Sequence, residues 1–341
     1  MPQIEITSPV AALDEVGHPQ NFGWSRSAFF NYDPDLLVVP RHCISEGDRY
    51  VLISSTHMVI FEILDDGYLG YLFISVISLK NRKRSTQTFV TPFSLGSFAL
   101  PKNSEAGSIR IRQRNKFIDF TAMEGGARII KVDIPRFGRN RSLRGEVVLT
   151  PPETAESLVT HMPWRGGGNA FSLSRRSPWY FTEGVIQFGT AELIFTRGSG
   201  WGIFDWNRGV RPRSDLRFWA AGCGQSEGRK TGFSFGYNTA DSALGTDNAF
   251  FLDGRLHKLD QVTFHISLEH LVPWRFTSND NRLEMIFLPY QERDESHQMF
   301  LYSLKRRQLF GSFSGKVVLD DGSEFEFQDI TGIAERCKSR L

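Results

Sequence analysis

The chain has 341 residues, 40% of them apolar and 23% charged, with a formal net charge of +2. That length is generous for one hydrophobic core and predicts two domains, and the composition excludes an intrinsically disordered chain. Charge is spread evenly between the halves, which argues against a dedicated nucleic-acid domain; Cys43, Cys223 and Cys337 lie far apart with no CxxC pair, which argues against a disulfide framework or zinc site.

Residues 1–48 read as irregular, because Pro2, Pro9, Pro19, Pro34 and Pro40 interrupt every candidate element. No basic stretch followed by an apolar run opens the chain, so no signal peptide is expected. The longest uncharged apolar run, Tyr68–Leu79, is too short to cross a bilayer. A soluble, cytoplasmic protein is the expectation.

Strands begin at Tyr50–Leu64 and Tyr68–Leu79, rich in Val, Ile and Phe and separated by Asp65-Asp66-Gly67, a strong hairpin signal. Further strands are predicted at Ser85–Thr91, Ser108–Arg114, Lys116–Met123, Ala127–Ile134 and Leu143–Thr150. In Ile109-Arg-Ile-Arg-Gln-Arg114 alternation puts Ile on one face and Arg on the other. No twelve-residue window shows a helical stripe, and short strands with turn signals fit an antiparallel barrel or sandwich. The 29 phenylalanines and 31 glycines point the same way.

Thr150-Pro-Pro-Glu through Gly166-Gly-Gly168 predicts a linker, with Ser157–Trp164 inside it still docked, and a division into domains 1–165 and 166–341. The second half repeats the β pattern at Gly184–Gly189, Ala191–Thr196, Trp201–Asp205, Arg217–Cys223, Thr231–Tyr237, Asn248–Leu252, Leu259–Ile266, Pro273–Thr277 and Leu283–Pro289. Gln308–Leu319 and Ser323–Gln328 flank a second Asp-Gly turn, and Ile330–Leu341 reads as a short terminal helix. The expected architecture is all-β, two tandem antiparallel barrels or sandwiches with a short C-terminal helix.

Residues 201–222 concentrate three of the seven tryptophans with four arginines and two aspartates. Alternation sets Asp205 on the face opposite Phe204 and Trp206. A pocket-facing Asp205 would have a raised pKa and act as a general acid; an arginine at 208 or 211 reaching it would make the pair a structural brace. Tyr237, Asn248 and Trp274 are the residue types that line a small-molecule cavity, and equally types that pack a core. His161 beside the linker reads as a packed or surface residue, or one facing a cleft. No HExxH, GxSxG or P-loop occurs, so no metal or cofactor is expected. Residues 80–116 carry nine Lys or Arg against Glu105 alone, either a solvated barrel face or a surface for an anionic membrane or ligand. No single-strand binding pattern accompanies them, and no nucleic acid or partner protein is expected.

At Asp205-Trp-Asn-Arg-Gly-Val-Arg-Pro the chain resembles the bacterial family catalogued as domain of unknown function 2804. Thr91–Gly96, Phe235-Gly-Tyr237, Asp247-Asn-Ala249, Asp253–Leu259, Pro273–Ser278 and Phe310–Gly315 carry the same resemblance over nearly the whole chain. More distantly the chain is similar to carotenoid hydratase-like, tocopherol cyclase-like and fungal Diels–Alderase-like proteins. That likeness implies two lipocalin-like barrels and a cavity, in or between them, for an apolar, isoprenoid or polyketide molecule. Asn207, Arg211 and Arg217 stand where the family has Gly, Trp and an aromatic residue, and Arg176 stands in a stretch where relatives carry Lys.

Two readings follow. In one, a cofactor-independent lyase or isomerase uses Asp205 to protonate an alkene or activate water. Arg208 orients that acid, and Trp206, Trp219, Tyr237 and Trp274 shape the cavity. In the other, a non-catalytic carrier holds an anionic lipid through Arg211 and its neighbours, with Arg176 and Asn248 completing the ligand-binding set. A β scaffold whose 80–116 patch meets a membrane surface is the third alternative.

Overall fold

The structure, a computed structural model, describes residues 3–138, 141–238, 240, 242–267, 269–299 and 302–340. Among them regular structure is β-strand apart from three single 3₁₀ turns. No helix among the described residues is long and apolar enough to cross a membrane. The fold is all-β, two lipocalin-like curled sheets.

The chain forms two compact units, one of Val38–Glu153 with Tyr180–Arg208, the other of Met1–Leu37, Thr154–Trp179 and Gly209–Leu341. They are called here the first and second barrel. This interleaved division differs from the single cut expected at residue 165. The Pro- and Gly-rich segment is not a free linker, because Leu158–Pro163 is a strand paired with Phe171–Arg176 and with Gly23–Ser25. Gly166–Gly168 lies in the turn of that hairpin, tied by Trp164 and Ala170 backbone bonds of 3.0 Å.

The sheet of the first barrel has the strand order Arg84–Pro92, Leu69–Ser78, His57–Asp65, Ile44–Ile53, Trp201–Val210, Phe171–Phe188, Arg141–Thr150, Arg128–Phe137, Lys116–Ala122, Ser108–Gln113, of which residues 171–179 and 209–210 belong to the second barrel. The expected strand Tyr50–Leu64 is two strands, because Ser54 Oγ accepts from the amides of Thr56 (3.3 Å) and His57 (3.1 Å) and turns the chain. The Asp-Gly hairpin forms as expected. Gly67 has φ +74° and donates its amide to buried Asp65 Oδ1 at 3.0 Å. Ser94 Oγ (2.8 Å) and the Gly96 amide (2.9 Å) complete the carboxylate's bonding, which accounts for the Thr91–Gly96 segment.

The second barrel's nine-stranded sheet runs Arg255–Lys258, Ala249–Leu252, Arg229–Tyr237, Ser214–Ser226, Glu324–Arg340, Tyr302–Val318, Leu283–Met299, Trp274–Ser278, Val262–His265. Its core is aromatic: Phe233, Phe276 and Phe287 pack around Phe313 with centroids 4.2–5.9 Å away. The expected C-terminal helix is instead the end of the central strand Glu324–Arg340. Residues 332–340 are paired on both sides, with Ser214–Gly222 and with residues 303–311, so two ladders outweigh the local helical propensity of Ala334-Glu-Arg.

Candidate ligand site

A pocket of ≈ 290 Å³ opens in the second barrel beside the turn that joins Arg229–Tyr237 to Ala249–Leu252. Phe218 and Phe264 (centroids 5.9 Å apart) form its apolar wall, and Tyr237, 6.1 Å from Phe218 and 57% exposed, stands at the rim. Thr246, Asp247 and Asn248 supply polar lining.

Asp247 is buried, and its bonds come from the neighbouring hairpin. Oδ1 accepts from Thr160 and from Ser174 (3.0 Å), and Oδ2 accepts from Arg176 at 3.2 Å. Burial pushes this carboxyl's pKa up, but the Arg176 charge and the two hydroxyls outweigh it and leave the group below the usual aspartate range. The pocket lining therefore includes a fixed, buried carboxylate. Gly236 makes room for it, since a Cβ there would come within 2.8 Å of the Asp247 Cβ. This explains the glycine of Phe235-Gly-Tyr237.

Asn248 braces the wall: its Oδ1 accepts from the Gly236 amide (2.9 Å) and its Nδ2 donates to the Asp260 carbonyl (2.8 Å). Behind the pocket Lys258 Nζ donates to Thr246 Oγ1 and the Leu259 carbonyl, both at 2.7 Å, and to the Asn248 carbonyl at 3.1 Å. Burial lowers its pKa to about 7, against the pull of Asp247, Asp260 and Asp280. Thr246, which lines the pocket, thus carries a hydrogen bond from an amine that titrates near neutrality.

Of the residues expected at a site, Tyr237 and Asn248 line this pocket and Arg176 holds its floor. The others lie elsewhere. Trp274 is 1% exposed and packs in the aromatic core against Phe287, not on the pocket. Trp219 is buried in its strand opposite Gly236 and Glu335. Arg211 lies over the Tyr302 ring at 5.3 Å, and Arg217 pairs with Asp215 at 3.2 Å.

Asp205, Trp206 and Arg208 belong to the first barrel. Arg208 does not orient Asp205. Its guanidinium donates to Asp48 Oδ1 (2.8 Å) and to the carbonyls of Pro101 (2.7 Å), Gly47 (3.2 Å) and Asn207 (2.8 Å), and it stacks on Trp206 at 4.6 Å. Alternation puts residues 204, 206 and 208 on one face and Asp205, also buried, on the other. Arg208 is a brace whose donors are spent on its own barrel.

His161 is fully buried among Phe22, Phe30 and Phe171, and desolvation lowers its pKa to about 4. Burial pushes the Cys223 thiol up, away from nucleophile range. Asp247, Thr160, Ser174, Thr246 and Lys258 are not among the site residues that the sequence predicts. Asp247-Asn-Ala249 and Asp253–Leu259 stood only as segments of resemblance; the available signal was charge placed at the ends of apolar strands.

These features define a class: an all-β, lipocalin-like two-barrel protein with a small-molecule-sized pocket. The chain belongs to the family described as Domain of unknown function (DUF2804), whose model matches residues 3–341, as the motif segments led one to expect. No curated protein sequence matches it. Among solved structures it is similar to CghA with Sch210972 (TM-score 0.57, 11% identity, 88% of this chain and 89% of that one). It is also similar to a putative AttH (NE1406) from Nitrosomonas europaea (TM-score 0.50, 12% identity, 89% and 95%). Kievitone hydratase from Nectria haematococca matches with a TM-score of 0.46, 10% identity and 86% and 88% coverage. At these identities the likeness to CghA and to the AttH structure is one of fold.

Proposed function

We propose that this protein binds a small, largely apolar molecule bearing a hydroxyl or other hydrogen-bond donor in the Asp247 pocket. The observation that carries the reading is the fixed carboxylate at the floor of an aromatic-walled recess. An apolar wall contributes affinity, while one placed charge-assisted acceptor contributes orientation. The CghA structure, which holds Sch210972, supports a small-molecule ligand by analogy of fold. Native mass spectrometry of freshly purified protein tests the reading. A retained neutral molecule, depleted at least tenfold in Asp247→Asn, is expected; a ligand held equally by that variant removes the pocket from the proposal.

A second reading, conversion of that ligand by a hydratase- or cyclase-type lyase or isomerase, is favoured by Lys258. Such reactions need a proton delivered or withdrawn, and a group with pKa about 7, bonded to a pocket-lining hydroxyl, does either at neutral pH. Asp205, buried in the first barrel and outside this pocket, is the alternative proton donor for a ligand held in that barrel instead. Incubating the retained ligand with protein separates the readings: an unchanged mass and chromatographic retention favours a carrier. Turnover that survives Lys258→Met but is lost in Asp205→Asn assigns the proton to Asp205.

A further inference from the structure

The first barrel's sheet ends at Arg84–Pro92 on one side and at Ser108–Gln113 on the other, and among the described residues no ladder joins these edges. A pocket of ≈ 220 Å³ occupies the seam, lined from both edges. Leu72, Phe89, Phe117 and Ile118 make its apolar wall, and Arg110, Arg112 and Lys116 stand around it. Lys116 reaches across, its ammonium 4.4 Å from the centre of the Phe89 ring.

The three cations are not equivalent. Asp119 lies directly across from Arg110 in the ladder, yet it is held by both terminal nitrogens of Arg112, one of them at 2.7 Å. Among the described residues neither Arg110 nor Lys116 has a carboxylate partner. Two cations without a carboxylate partner thus flank an apolar recess. Cations on an edge strand also guard it against pairing with another chain, but that role needs no recess behind them.

We propose that this seam binds a single-chain carboxylate amphiphile, with its acyl tail in the recess and its carboxylate on Arg110 and Lys116. The recess is small, which fits one short chain better than a bilayer surface, and charge complementarity selects an anionic head. The site is independent of the Asp247 pocket, and either stands if the other fails.

Calorimetric titration of the full chain with octanoate and with octanol tests it. Octanoate binds the native protein at least tenfold more tightly than octanol does. Arg110→Gln combined with Lys116→Gln, both outside the core, weakens octanoate at least tenfold and leaves octanol unchanged. Thr91→Trp, which fills the recess, abolishes both, with circular dichroism confirming its fold. The proposal is overturned by octanoate that fails to bind, by equal affinity in the double variant, or by binding that persists in folded Thr91→Trp. Salt-sensitive sedimentation with phosphatidylglycerol vesicles in the absence of octanoate binding also overturns it, and makes the patch a membrane face.

Discussion

The Asp247 pocket and the seam pocket put charge in opposite places. In the second barrel the charge is at the floor, buried and satisfied by Thr160, Ser174 and Arg176. In the first barrel it is at the rim, solvated, and partly without partners. A buried charge must be compensated by the protein before any ligand arrives, so its partners belong to the folding energetics. A rim charge contributes little to folding and is available to a solute. Substitutions at the two pockets should therefore separate: floor changes act on stability, rim changes on binding.

The largest effect expected is at Arg176. Arg176→Met leaves the Asp247 carboxylate buried without its cation, which costs about 3–5 kcal/mol of unfolding free energy by urea titration at neutral pH. The pH dependence has a definite sign. Because the folded pKa of Asp247 is depressed, its contribution is fully present above the ordinary aspartate value and lost as pH falls through the folded one. Arg176→Met should lose that acid-side dependence; a variant as stable as the native chain would mean the floor carries no committed charge.

Lys258 gives the next effect. Its folded pKa of about 7 lies below the ordinary lysine value of 10.5, so between these values the unfolded chain binds more protons and stability rises with pH. From pH 7 to pH 9 the native protein should gain up to about 2–3 kcal/mol relative to Lys258→Met, at about 1.4 kcal/mol for each unit. Equal slopes for the two proteins over this window would show that the amine is not the near-neutral group behind Thr246.

Legibility in the sequence follows the same contrast. The rim could be read from the chain: Ile109-Arg-Ile-Arg alternates, and the burial pattern puts Ile109 inside and Arg110 outside. What could not be read was the recess, because Phe89 meets Lys116 only once two sheet edges curl toward each other. The floor was hidden more deeply, since Asp247 lies 87 residues from Thr160 and 71 from Arg176. Most first-barrel strands fell within a few residues of expectation because runs of Val, Ile and Phe bounded by turn residues are local signals. In the second barrel, strands such as Leu283–Met299 run 17 residues through Pro289 and a charged stretch, and propensity ended them early. Arg208 was misjudged for a related reason: neighbours in sequence suggested Asp205, but alternation turned the guanidinium to Asp48.

The smallest effect belongs to Asp119, and it has two signs at once. Asp119 and Arg112 form an exposed pair on an edge hairpin, so Asp119→Asn should change unfolding free energy by less than about 1 kcal/mol. The same substitution releases Arg112 and removes the carboxylate that lies across from Arg110, adding a cation to the rim without altering the recess. Octanoate affinity should then rise, by about two- to fivefold if the released cation is worth what exposed pairs usually are. Octanol affinity should stay where it was. A stability loss of several kcal/mol would place Asp119 with the buried charges of the floor, and an unchanged octanoate affinity would mean that Arg112 does not reach the rim once freed.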